Sequence, residues 1–224
     1  MINVLYEDNH LLCVEKPVNV PVCEDESKDD DLLSMAKRYI KDKYDKPGNV
    51  WLGLVHRLDR PVGGVIVFAR TSKAASRLSE SVRTHQLGKE YYAILDGVPK
   101  QPQGTLTDYL RKDARTNTTR VTDAEHGKKS TLRYETVAVR DGKTLVRVQL
   151  ETGRSHQIRV QFASRNLPLV NDQRYHPHPS HGPIALYACR LRVPHPISRE
   201  EIVVSHNPPS VSPWLLFEDC YDCE

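Results

Sequence analysis

The β-rich stretch from Thr105 to Leu150, broken by turn signals at His126-Gly127 and Asp141-Gly142, constrains this chain more than any other feature. Several strands joined by tight turns build an antiparallel sheet and leave no place for regular βαβ alternation. The flanking segments agree. Val4-Leu5-Tyr6 and Leu11-Leu12-Cys13-Val14 read as two strands across a polar turn, and Lys16-Pro17 ends the second. Val65-Ile66-Val67-Phe68-Ala69 is a continuous apolar run suited to a buried strand, and Tyr91 to Leu95 is another strand. Ala185 to Val193 and Ile202 to Ser205 close the set. Helices are few. One follows Asp29-Asp30-Asp31 with Leu32, Leu33, Ala36, Tyr39 and Ile40 on one face; a second is capped by Thr71 or Ser72. A third begins near Ser155, with Ile158 and Phe162 facing inward. The expected class is α+β, with a mixed, largely antiparallel sheet and flanking helices. Residues 1–224, with no internal repeat or linker-like stretch, are expected to form a single domain.

Composition narrows the function. The chain has 32 Lys+Arg and 29 Asp+Glu, a formal charge of +3, which does not by itself announce a nucleic-acid partner. No apolar stretch approaches the roughly 18 residues of a spanning helix, and Met1 to His10 lacks a signal-peptide apolar region. Five scattered cysteines argue for a reducing cytosol over a disulfide framework. Cys220-Tyr221-Asp222-Cys223 has zinc-ligand spacing but no second close pair, so it reads as a ragged C-terminus. His176-Pro177-His178-Pro179-Ser180-His181 reads as a turn-rich loop. No metal, cofactor or membrane partner is expected, and consistently the chain offers neither a Walker loop nor a G-x-G-x-x-G.

Three segments carry chemistry. His56-Arg57-Leu58-Asp59-Arg60-Pro61-Val62-Gly63-Gly64 places a carboxylate between two arginines on a constrained loop that enters the buried strand. Nearby arginines keep such a carboxylate ionised, as a nucleophile or base requires. Lys89-Glu90-Tyr91-Tyr92-Ala93 puts two tyrosines on opposite strand faces, one free to meet a base and the other, Tyr92, structural. Gly153-Arg154-Ser155-His156-Gln157-Ile158-Arg159 sets an arginine at the junction between a strand and a helix.

In this order the segments closely resemble the RluA-type pseudouridine synthases, whose signature runs through His-Arg-Leu-Asp, Lys-x-Tyr-x-Ala and Gly-Arg-(Ser/Thr)-His-Gln-(Ile/Leu)-Arg. The likeness continues through Leu167-Pro168-Leu169-Val170-Asn171-Asp172 and Leu191-Arg192-Val193-Pro194-His195-Pro196, and covers nearly the whole chain. The resemblance implies the pseudouridine synthase fold with a central catalytic cleft, and an enzyme that isomerises uridine in rRNA or tRNA. It makes Asp59 the essential carboxylate, Tyr91 the residue that stacks on the uracil, and Arg154 the partner of the catalytic aspartate. Arg57 would fill the space left by the extruded base, Ile158 would line the uracil pocket, and His56 is assigned with them to substrate binding. A cytoplasmic monomer without an N-terminal RNA-binding module is expected.

Departures exist: Val62-Gly63-Gly64 replaces the usual Thr-Ser-Gly, and Gly63 is expected to loosen the Asp59 loop. The alternative is a catalytically silent RNA-binding or remodelling protein of the same fold. A glycoside hydrolase would need a second acid in place, and Glu80 and Glu90 show no such placement. The small net charge hides a pattern. Leu54 to Glu90 and Thr107 to Arg165 are basic, whereas Glu24 to Asp31 and Glu218 to Glu224 are acidic. The acidic segments are therefore expected to lie away from RNA.

Overall fold

The computed structural model describes residues 2–222. Along the chain the elements are β1 (Asn3–Glu7), β2 (Leu11–Lys16), α1 (Leu32–Lys43), β3 (Gly53–Leu54), β4 (Gly63–Ala69), α2 (Ser72–Arg83) and β5 (Gly88–Asp96). Then come β6 (Gln103–Asp113), β7 (Thr118–Thr122), β8 (Lys128–Arg140), β9 (Lys143–Leu150), α3 (Gln157–Ala163), β10 (Leu186–Pro194), β11 (Glu201–Ser205) and a 3₁₀ segment, Trp214–Cys220. Strands dominate and pair largely antiparallel, so the α+β expectation holds.

The chain divides into two compact units. The first runs to Gly88 and takes in Ala188–Asn207; the second comprises Lys89–Tyr187 and Pro208–Asp222. In the first, neighbouring strands follow the order β1-β2-β4-β10, with β3 on β4 and β11 on β10. Every residue of β4 is buried, as its unbroken apolar run requires. Its side chains Val65, Val67 and Ala69 meet Leu11, Cys13, Ala74, Leu78 and Leu191 in one cluster. Both helices of this unit are capped as their sequences suggest: Asp31 accepts from Ser34 N at 3.0 Å and Thr71 from Ala74 N at 3.1 Å. Gly64 is a position where glycine is obligatory. Its φ is +119°, and a Cβ would lie 2.2 Å from the Ala188 carbonyl oxygen.

The second unit is an antiparallel sheet with strand order β5-β9-β8-β6-β7. Register sorts its residues onto two faces. Tyr91 pairs with Val148 and Val148 with Tyr134, placing these three on the face where Phe162 of α3 meets the Tyr134 ring at 5.4 Å. Tyr92 pairs with Arg147 on the opposite face. There the C-terminal segment covers it: Trp214 and Phe217 are buried, Tyr221 lies against the Tyr92 ring at 5.2 Å, and the Tyr92 hydroxyl donates to Asp222 at 2.7 Å. The tail through Asp222 is thus packed, not ragged; Cys223 lies outside the described residues. Cys13, Cys23 and Cys220 are free thiols.

Candidate active site

The Asp59 loop is held through both its backbone and its flanking side chains. Val62 N donates to the Asp59 carbonyl at 2.9 Å, closing a turn at the mouth of β4. His56, buried, accepts from Val67 N through Nε2 at 3.2 Å and ties the start of the segment to the same strand. The strongest anchor is one the sequence did not disclose. Lys16, fully buried at the end of β2, donates from Nζ to the carbonyls of Pro17 (2.8 Å), Val20 (2.7 Å) and Arg60 (2.9 Å). Its ammonium therefore sits beneath the residue that follows Asp59. Burial pulls its pKa down to about 7, and the Asp59 charge opposes that shift. Gly63 is buried as the first residue of β4, so the Val62-Gly63-Gly64 departure lies in a pinned strand entry.

Arg60 points to the acidic run. Its guanidinium binds the Asn19 carbonyl at 3.1 Å, Ser27 at 2.8 Å, Asp25 at 3.2 Å, and Asp29. The acidic stretch expected to lie away from RNA is thus tied, in part, to the chain neighbour of Asp59. Asp31 alone caps α1. Arg57 is exposed.

The third motif lies in the second unit and is mostly structural. Gln157 Oε1 accepts from Thr152 Oγ1 (2.9 Å) and Arg154 N (3.0 Å), while its Nε2 donates to the Thr131 carbonyl (3.1 Å). His156, not Ser155, occupies the helix-start position, with a left-handed φ of 53° and no side-chain cap. Its Nδ1 instead meets the Tyr175 hydroxyl at 2.7 Å. Arg159 grips Asp172 bidentately at 2.8 and 2.6 Å in the interior. These bonds leave Arg154 as the member of the motif aimed outward: it is exposed, and its side chain has no hydrogen bond or ion pair among the described residues. Ile158 is buried on α3, and Tyr91 is buried on β5. Lys89, two residues before Tyr91, brings Nζ beside Gly153, and burial lowers its pKa. The Lys-x-Tyr and Gly-Arg segments therefore meet within this unit. Among the described residues, no group of three His, Cys, Asp or Glu could hold a metal. His176 of the histidine-rich loop pairs with Asp96 at 2.9 Å.

These motifs on this sheet define an RNA-modifying isomerase class, and comparison with known proteins gives the family. The model of the RNA pseudouridylate synthase family matches residues 10–164. Ribosomal large subunit pseudouridine synthase D of Yersinia pestis is 34% identical over 212 residues, covering 88% of this chain and 64% of that protein. An uncharacterised RNA pseudouridine synthase of Zymomonas mobilis is 34% identical over 177 residues, with 78% of each chain covered. The structure of human RNA pseudouridylate synthase domain containing 4 shares the fold, with a TM-score of 0.78 at 22% identity over 92% of this chain and 88% of that one. The chain belongs to the RNA pseudouridylate synthase family. It spans about two-thirds of the length of the Yersinia relative.

The Lys16 anchor has a pH signature. Between about pH 7 and the ordinary lysine value near 10.4, the unfolded chain holds a proton on Lys16 that the native chain has released. The unfolded state binds more protons there, so this group makes stability rise with pH, by at most about 1.4 kcal/mol per unit. Urea unfolding at pH 6.5, 7.5 and 8.5 is expected to show the wild type gaining on Lys16→Met across the series. Parallel profiles for the two proteins would contradict the assignment.

Proposed function

We propose that this chain converts specific uridines of rRNA or tRNA into pseudouridine, with Asp59 as the essential carboxylate. One observation carries the reading: in a member of this family, the His56-Arg57-Leu58-Asp59 segment enters β4 on a turn whose backbone is pinned by Val62 N and Lys16 Nζ. Isomerisation breaks N1–C1′, turns the retained base and joins C5 to C1′; the C5 proton leaves to solvent and N1 gains one. The nucleotide must first leave its stack, and Arg57 is suited to fill the gap. Asp59 either attacks C1′ or removes the C2′ proton to give a glycal. Tyr91 stacks on the uracil, Ile158 walls the pocket, His56 supports the loop, and Arg154, whose side chain is unpaired among the described residues, is the arginine that the family resemblance assigns to the carboxylate. No cofactor is required, because the base is retained and no electrons are exchanged.

The chain is read as one catalytic domain, acting as a monomer in the cytoplasm. No described helix is long and apolar enough to cross a membrane. Ribosomal RNA is the first substrate to try, since the Yersinia relative is a large-subunit enzyme by name. RNA tritiated at C5 of uridine should release tritium on incubation with the protein alone. No release from any cellular RNA fraction would overturn the proposal and leave the silent RNA-binding reading.

A further inference from the structure

The second unit's sheet carries cations on the face that Tyr91 does not share. On β6, Tyr109 and Arg111 project to the same side, and register sets Arg111 directly opposite Arg120 on β7 and Tyr109 opposite Lys129 on β8. Arg111, Arg120 and Lys129 are exposed and have no acidic partner among the described residues. The acids close by are engaged elsewhere. Asp113 accepts from Arg115 N at 2.9 Å, and Asp123 meets His126 at 2.7 Å. Farther along the same face, Gln103, Thr105, Arg133, Glu135, Arg147 and Gln149 line an open groove of about 440 Å³. Its carboxylates are neutralised: Glu135 pairs with Arg147 at 3.0 Å, and Glu151 with Arg133 at 2.6 Å.

Arginines directly opposite one another across a strand pair repel and lower stability. They are tolerable where a polyanion is the intended neighbour, because planar guanidinium groups bind phosphate oxygens bidentately. The hairpin that bears them is also fixed in place: Tyr175 Oη accepts from Thr119 N at 2.8 Å, and Arg174 binds the carbonyls of Thr116 and Asn117. Lys112, by contrast, pairs with Thr119 on the other face and does not belong to the set.

We propose that this outer sheet face, with Arg111, Arg120 and Lys129 at its centre, docks the phosphodiester backbone of RNA at a place distinct from the uridine pocket. The inference rests on the isomerase reading and assigns that enzyme a second, sequence-independent contact with its substrate.

The test compares the full chain with Arg111→Ala/Arg120→Ala/Lys129→Ala and with a control triple on the first unit and β5–β6 turn, Lys41→Ala/Lys73→Ala/Lys100→Ala. Filter binding uses total rRNA fragments from 50 to 300 mM salt, and tritium release is followed in parallel. The docking triple is expected to bind about 10- to 100-fold more weakly at 100 mM salt. The slope of log K against log salt should flatten by about 2 to 3, near 0.7 to 0.9 per lost phosphate contact. KM should rise by a similar factor with kcat unchanged, and the thermal midpoint should equal or exceed the wild-type value, since repulsion is relieved. An unchanged slope, or a loss matched by the control triple, overturns the docking surface. If the wild type binds RNA but releases no tritium, the isomerase reading fails while the binding comparison still decides the surface.

Discussion

Asp59→Asn is expected to lose tritium release from C5-labelled RNA by about 10⁴-fold, with RNA affinity within a few-fold of wild type and the protein still folded. A neutral amide can neither attack C1′ nor take the C2′ proton, so both routes fail together. General-base removal alone costs about 10² to 10⁴ in rate, and loss of a nucleophile costs more. The turn itself should keep its place, because it is held by Val62 N on the Asp59 carbonyl and by Lys16 Nζ on the Arg60 carbonyl. Both bonds survive any side chain at position 59. Single-turnover assays with excess enzyme remove binding from the comparison. Residual turnover within tenfold of wild type would exclude Asp59 as the reacting carboxylate.

What the sequence disclosed was whatever is decided locally. The apolar run of β4, the alternation of β6 to β9 and the caps Asp31 and Thr71 each depend on neighbours a few positions away, and each stands as expected. The start of α3 does not. Ser155 looks like a cap, but Gln157 reaches back to Arg154 N and across to β8, and His156 is drawn into a left-handed conformation with its ring on Tyr175. Distant partners override local preference there. The same reason hid Lys16, whose three acceptors include a carbonyl 44 residues away. It also hid the grip of Arg60 on the acidic run, which composition alone reads as a solvated helix entry. In the basic hairpin, charge was legible but facing was not. Only the register shows that Arg111 and Arg120 share a side with Lys129, and that Lys112 does not.

Stability should be highly sensitive at the buried partner of Arg159. Asp172→Asn is expected to cost about 3 to 5 kcal/mol, the range for breaking one side of a buried ion pair. Asp172 is fully buried and Arg159 nearly so, and their two hydrogen bonds join α3 to the segment that carries Arg174 and Tyr175. Asp172 Oδ1 also accepts from the backbone N–H groups of Arg174 at 3.0 Å and Tyr175 at 3.3 Å. Burial pushes this carboxyl up, but Arg159 and the two N–H donors outweigh it and hold it below the usual carboxylate range. A depressed folded pKa means the pair stabilises above the unfolded value near 3.9 and that this contribution is lost as pH falls through the folded one. The gap between wild type and Asp172→Asn in urea unfolding should therefore be full at pH 7 and shrink only in strong acid. If Asp172→Asn costs under 1 kcal/mol, the pair is not the clamp its geometry describes. The contrast with Asp59→Asn separates the two roles, since one variant folds without turning over and the other turns over only in the fraction that folds.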